Sequence, residues 1–489
     1  MGAGDAGRSP VGGRRRWRAL ARATVVVTVP PALVAASLAV VGGATPGHAP
    51  RGPRPTAPAP ATSSTPAAAA STTTTAAPAA PPAAAPGPAP ATPSPAALLR
   101  QQAAMVLGGL PSCLVVDDGH TEVVARDPAT PLAPASTQKL LVAAAALAEL
   151  GPAFRFDTVV EAPAPPRGGT VDTLWLVGSG DPLLATSDYG AWLGRQPRTL
   201  AVPTTPLGVL ADELAEQGIR TVQDGVHGDD SRYDRLRYLP TWNPGIRDEN
   251  DVGPLGALTV NGGFVQWEGN GVVAPDPAAY AGSELARVLQ DRGIQAGARD
   301  DQTAPATAVV LAHLVSPPLA DIVTEMLQTS DNLTAELLTR ELDRQMGGTG
   351  STAGGTAVVM ATAARLGLPV GGLQLVDGSG LDGGDRATCR LLLATLGLGA
   401  RPGFDALARG LAVAGRPGTL VHRWVGTPLA GKLAAKTGWT STAAGMVGVL
   451  PGAHSLRFAF LANGALPWAT AQGIEDRLVG ALAAYAGTG

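Results

Sequence analysis

Between residues 111 and 136 the chain reads PSCLVVDDGHTEVVARDPATPLAPAS, two short β-branched apolar runs on either side of Asp-Asp-Gly-His. Runs of that kind joined by a glycine-containing turn predict a β-hairpin. The pattern then changes. STQKLLVAAAALAEL, residues 136–150, is built of helix formers, opens on Ser136 and is stopped by Gly151-Pro152, which predicts a helix. Residues 155–310 have another texture, with β-like runs such as TLWLVG, many Gly, Pro and Asp turns and one clear helix at LGVLADELAEQG. They predict an inserted region with its own small β-rich core.

SPPLADIVTEMLQTSDNLTAELLTRELDRQM, residues 316–346, has helical spacing interrupted by the polar Ser330-Asp331-Asn332, and predicts two helices with a loop between them. GKLAAKTGWTSTAAGMVGVLPGAHSLRFAFLANG, residues 431–464, gives three strand-like runs separated by turns, an antiparallel meander. A last helix is expected over about 467–484. The order of elements predicts an α+β fold, an antiparallel sheet covered by helices.

Composition narrows the classes. A chain of 489 residues with 45% hydrophobic content excludes a small marginal fold. A net charge of −3 and only 4% aromatic residues give neither a basic field nor base-stacking surfaces, so nucleic acid is not an expected partner. The six histidines show no metal-binding spacing, and no metal or cofactor is expected. Cys113 and Cys389 are the only cysteines, and a disulfide or two buried thiols are both open to them.

At the amino end RRRWRALAR is followed by ATVVVTVPPALVAASLAVVGGA, a basic flank before an uncharged apolar run. Residues 1–44 are therefore expected to be an export segment, either a cleaved signal peptide or an uncleaved membrane anchor. Residues 45–97, rich in Pro, Ala and Thr, cannot bury a core and are expected to be a disordered linker. The protein is expected to be extracytoplasmic, secreted or held at the outer face of the cytoplasmic membrane.

Arginine carries nearly all the positive charge, and the only lysines are Lys139, Lys432 and Lys436. Ser136 and Lys139 lie three apart, a spacing that puts both side chains on one helix face. A hydroxyl becomes a nucleophile when a neighbouring amine removes its proton, and that amine must first lose its own charge. Bringing a lysine from about 10.4 to 7 or 8 requires roughly 3 to 5 kcal/mol. Burial and a second positive charge act in that direction, and Lys436 is the expected second charge. Ser-x-x-Lys at 136–139, Ser-Asp-Asn at 330–332 and Lys-Thr-Gly at 436–438 follow in the order of the active-site signature of penicillin-recognising serine acyltransferases.

With the runs LWLVGSGDPLL, VHGDDSRYD, SDNLTAELL and VDGSGLDGGDRAT, the chain from about residue 98 to its end resembles the class C low-molecular-mass penicillin-binding proteins, the D-alanyl-D-alanine carboxypeptidase/endopeptidase family. The resemblance implies a β-lactamase/transpeptidase-like domain over 98–160 and 311–489, with residues 161–310 inserted between the first and second motifs. It implies Ser136 as nucleophile toward a peptidoglycan stem peptide, Lys139 as base, Ser330 as proton relay and Asn332 as an orienting group. Lys436, Thr437 and Gly438 would meet the substrate's carboxylate end, and the backbone N–H groups of Ser136 and Trp439 would form the oxyanion hole. β-Lactams would acylate the same serine as covalent inhibitors.

One position departs from the family. Thr or Ser usually follows Lys-Thr-Gly, whereas Trp439 stands here, so a hydroxyl is lost unless Thr440 or Ser441 replaces it. That makes endopeptidase cleavage of cross-links, or weak turnover, compete with strict carboxypeptidase action. Asp181 in GSGDP is most simply a turn-forming residue; the resemblance adds a sharper role, pairing with an ammonium on the stem peptide. Residues 377–381 read as a tight structural turn. A serine β-lactamase ranks lower because no Glu-x-x-Leu-Asn run is present, and a wall-binding module with little turnover is the reading from another class.

Overall fold

The structure is a computed structural model that describes residues 93–199 and 202–487. The expected export segment and nearly all of the expected linker lie outside the described residues. Among the described residues no helix is long and apolar enough to cross a membrane. The linker was expected to run to residue 97, but helix α1, Pro95–Leu107, begins earlier: Ser94 caps it by accepting from Ala97 N at 3.3 Å, and Pro95 occupies the first turn. Leu99, Ala103 and Leu107, spaced by four, are buried and dock it.

Strands β1 (Ser112–Asp117) and β2 (Glu122–Arg126) form the expected hairpin. They join β7 (Ala412–Val413), β8 (Ala434–Thr440), β9 (Ala443–Leu450) and β10 (Leu456–Asn463) in a six-stranded sheet of order β7-β8-β9-β10-β1-β2, antiparallel throughout. Side chains alternate between two cores. Cys113, Val115, Ala459 and Leu461 face one cluster, whereas Leu114, Val116, Phe458 and Phe460 face the other. Helices cover both faces, so these strands are apolar at nearly every position.

On one face lie α1 and α9 (Trp468–Ala486). On the other lies α2 (Lys139–Glu149), buried from Lys139 to Leu147 and surrounded by α5 (Leu319–Thr329), α6 (Asn332–Gln345), α7 (Thr352–Arg365) and α8 (Cys389–Gly397). Cys113 on β1 and Cys389 at the start of α8 form a disulfide with Cα atoms 5.9 Å apart, which resolves the open alternative. The architecture is α+β, as the element order predicts.

A second sheet has the order β6-β3-β4-β5, from β6 (Val309–Val315), β3 (Asp157–Ala162), β4 (Thr170–Val177) and β5 (Thr221–Asp229). The β4/β5 pair is parallel and the others antiparallel. Helices α3 (Gly208–Glu216) and α4 (Pro277–Gln290) share its core through Leu210, Leu214, Ala281 and Leu285. The inserted region is thus a mixed sheet with helices on it. The reading of the sequence missed α4, whose buried face mixes Ala278, Ala281, Gly282 and Ala286 with Leu285, Val288 and Leu289. The expected edges, 161 and 310, fall within β3 and β6.

Candidate active site

The segment before α2 is a single 3-10 turn, Ala135–Gln138, so the regular helix begins at Lys139 and not at Ser136. A turn of that kind nearly eclipses residues three apart. It sets Lys139 Nζ 2.8 Å from Ser136 Oγ. Ala135 is held at φ +47, a conformation that costs an alanine energy and needs support from its surroundings. Two glycines give that support. A Cβ on Gly438 would lie 2.9 Å from Pro134 O and 3.0 Å from Ser136 N, and one on Gly380 would lie 2.1 Å from Ala135 O. Only glycine lets strand β8 and the 377–381 turn close on the serine.

Lys139 is fully buried and donates also to Asn332 Oδ1 at 2.7 Å and to the Ser379 carbonyl at 2.6 Å. The second contact was not foreseen: residues 377–381 are a tight turn, but one that presents a carbonyl to the lysine. Glu336 accepts from Gly378 N and Ser379 N at 2.9 and 2.8 Å. Asp377 accepts from Gly380 N at 2.7 Å, and from Asp382 N and Trp242 Nε1 at 2.8 Å each. These buried carboxylates fix the turn by accepting its backbone donors.

Ser330 ends α5 in the left-handed region, φ 63, and Asp331 caps α6 by accepting from Thr334 N at 2.5 Å. That break is the expected interhelical loop. Ser330 Oγ accepts from Lys436 Nζ at 2.8 Å, and Asn332 Nδ2 donates to Asp251 O at 2.7 Å, tying the inserted region to the site. Lys436, fully buried on β8, donates also to Thr437 O at 2.6 Å. The Thr437 hydroxyl donates to that of Thr419, 3.2 Å away and unmarked by any motif.

Burial pushes Lys139 down to about 8; Asp377, Asp331 and Glu336 oppose the shift and Arg198 adds to it. The expected second charge was Lys436. It is not the source, because burial, then Lys139, then Arg198 drive Lys436 itself well below the ordinary lysine range. Arg198, from the inserted region, supplies the positive charge instead.

Ser136, Ser330, Asn332, Thr437, Gly438, Trp439 and Ser441 line one cleft of about 1680 Å³ between the sheet, the helices and the inserted region. The Trp439 ring, 40% exposed, donates its Nε1 to Leu466 O at 2.9 Å and meets Trp468 edge to face at 5.2 Å. Ser441 is exposed in the β8–β9 turn at the rim. Asp181 is not among the lining residues. It is buried, accepts from Leu183 N at 2.9 Å and is pushed up to about 6 by burial.

Comparison with known proteins agrees with this geometry. The model of the D-Ala-D-Ala carboxypeptidase 3 (S13) family matches residues 112–272 and 269–485. Carboxypeptidase Rv3627c of Mycobacterium tuberculosis is 34% identical over 350 residues, 69% of this chain and 72% of that protein. The D-alanyl-D-alanine carboxypeptidase of Actinomadura sp. (strain R39) is 29% identical over 463 residues, 78% and 82% of the two chains. Penicillin binding protein 4 (dacB) from Haemophilus influenzae has the same fold, with a TM-score of 0.64 at 21% identity over 78% of this chain and 98% of that one. From the family match and the relatives that share it, the chain belongs to the D-Ala-D-Ala carboxypeptidase (S13) family of serine peptidases.

Proposed function

We propose that the protein is an exported serine DD-peptidase that acts on peptidoglycan stem peptides through an acyl-enzyme on Ser136. The observation that carries this is the environment of Lys139. Once neutral, its amine has two N–H bonds and one lone pair. Asn332 Oδ1 and Ser379 O take the two N–H bonds, which aims the lone pair at the Ser136 hydroxyl. Lys139 takes the hydroxyl proton as Ser136 Oγ bonds to the penultimate D-Ala carbonyl carbon. The backbone N–H groups of Ser136 and Trp439 hold the oxyanion. The C–N bond then breaks, and the proton that Lys139 took is handed to the leaving amine through Ser330, whose hydroxyl Lys436 orients. Water attacks the ester, returning the proton to Ser136 and releasing the shortened peptide.

Export is supported by the Cys113–Cys389 disulfide, which suits an oxidising compartment, together with the basic and apolar amino-terminal sequence. Covalent inhibition by β-lactams follows from the same chemistry, and the Haemophilus influenzae protein has been solved complexed with a β-lactam. Cross-link endopeptidase action is a second reading, supported by the open cleft and by the loss of a hydroxyl at Trp439. The test is intact-protein mass after exposure to benzylpenicillin, beside Ser136→Ala. A lasting single adduct absent from the variant is expected. Rapid recovery of the free mass would indicate a β-lactamase, and no adduct on folded protein would indicate a binding module.

A further inference from the structure

Arg198 has no part in the motifs, yet the inserted region carries it into the same cleft as Ser136, Ser330, Thr419 and Thr437. Its Nη2 donates to Thr329 O, next to the Ser330 that Lys436 holds. The residue is solvent-accessible. Its charge reaches both lysines, lowering each. Among the described residues it makes no salt bridge, although eighteen such contacts occur elsewhere among them. The acidic groups whose charge acts on it are Asp331 and Glu325. Asp331 is engaged in capping α6, and Glu325, whose charged form burial disfavours, is bonded to Thr329 Oγ1 at 2.7 Å. A guanidinium is the side chain best shaped to grip a carboxylate through two N–H bonds.

We infer that Arg198 is a specificity-determining residue that binds the carboxylate next to the scissile bond, with Thr437 and Thr419, in place of the hydroxyl that Trp439 does not supply. The inference rests on the peptidase reading above. It places part of the substrate recognition on the inserted region, at the Thr329–Asn332 loop where that region meets the catalytic groups. The competing role is a latch, in which Arg198 only pins its loop to Thr329 O.

The experiment compares two substrates: an acylated tripeptide ending in D-Ala-D-Ala, and the same tripeptide with its terminal carboxyl converted to a carboxamide. Arg198→Gln keeps an N–H donor for Thr329 O and removes the charge; Arg198→Lys keeps the charge without the fork. Wild type is expected to prefer the carboxylate form. In Arg198→Gln that preference should shrink by at least about tenfold, through kcat/KM on the carboxylate form, with Arg198→Lys in between. An equal fall on both substrates, accompanied by a lower Tm, identifies the latch and overturns the inference, as does an unchanged preference. If wild type cleaves neither substrate and is not acylated by benzylpenicillin, the peptidase reading itself fails.

Discussion

Two fully buried lysines each donate to a serine hydroxyl at 2.8 Å, and their surroundings give them different chemistry. Lys139 has two further acceptors and three nearby carboxylates that resist the effect of burial, which leaves it titrating at about 8. Lys436 has one further acceptor, the Thr437 carbonyl, and cationic neighbours in Lys139 and Arg198. The first is tuned to exchange a proton near neutral pH. The second lacks a counter-charge until an anion arrives, so a substrate carboxylate beside it would favour its protonated form. Equal hydrogen-bond lengths thus conceal a base and an electrostatic group, and the difference lies in what surrounds each amine.

Removing the base should break the comparison most strongly. Lys139→Met keeps the side-chain length but deletes the proton acceptor, and benzylpenicillin acylation of Ser136 is expected to slow by about 10³- to 10⁴-fold. Lys436→Met should cost about 10²-fold, the scale of losing one electrostatic contact to the reacting substrate. Stopped-flow or mass-resolved acylation rates decide both. A loss for Lys436→Met as large as that for Lys139→Met would mean that the two form one proton-transfer unit and not two functions.

pH separates them more finely. Neutral Lys139 is the active form, so acylation should rise about tenfold per unit below pH about 8 and level off above it. An unperturbed lysine would keep the rate rising toward its ordinary value of 10.5. The same shift appears in stability. The folded chain gives up this proton at lower pH than the unfolded chain, so between about 8 and 10.5 the unfolded state binds more protons and stability rises with pH. The penalty is full below about 8 and is relieved by about 3 kcal/mol across the window. Urea midpoints at about pH 8 and about pH 10 should show a larger rise in wild type than in Lys139→Met, in which buried Lys436 alone still contributes a rise of the same sign.

Much of this was legible in the sequence because it is local. Ser136 and Lys139 need only their spacing, the Ser330–Asn332 break needs only a polar interruption between two helical patterns, and β8 to β10 announce themselves as three apolar runs. What the sequence hid arises from distant approach. Ser379 offers a backbone carbonyl, which no side-chain motif records. Thr419 and Arg198 reach the cleft from loops without periodicity, and Lys436 could be named as a neighbour of Lys139 but not ranked against Arg198. Helix α4 was passed over although Leu285, Val288 and Leu289 share its buried face with Ala278, Ala281, Gly282 and Ala286, because the surrounding Gly, Pro and Asp turns made the whole region read as β-rich. The Cys113–Cys389 pair spans 276 residues and depends on the docking of α8 against β1, information present only in the fold.

The smallest effect is expected at the position that departs most visibly from the family. On β8 the side chains of Thr437 and Trp439 point to the face opposite Lys436 and Gly438. The Trp439 ring is anchored there by Leu466 O and Trp468, and it lines the cleft. Trp439→Thr leaves the backbone N–H of residue 439 in place, so benzylpenicillin acylation should change by less than about fivefold, while lost packing against Trp468 lowers stability by about 1–2 kcal/mol. The new hydroxyl should also reduce dependence on Arg198: the Arg198→Gln defect on the carboxylate tripeptide should be smaller in the Trp439→Thr background, a coupling that a double-mutant cycle reads directly. Additive defects would mean that residue 439 and Arg198 do not serve the same carboxylate, and would leave Thr437 and Thr419 as its hydroxyl partners.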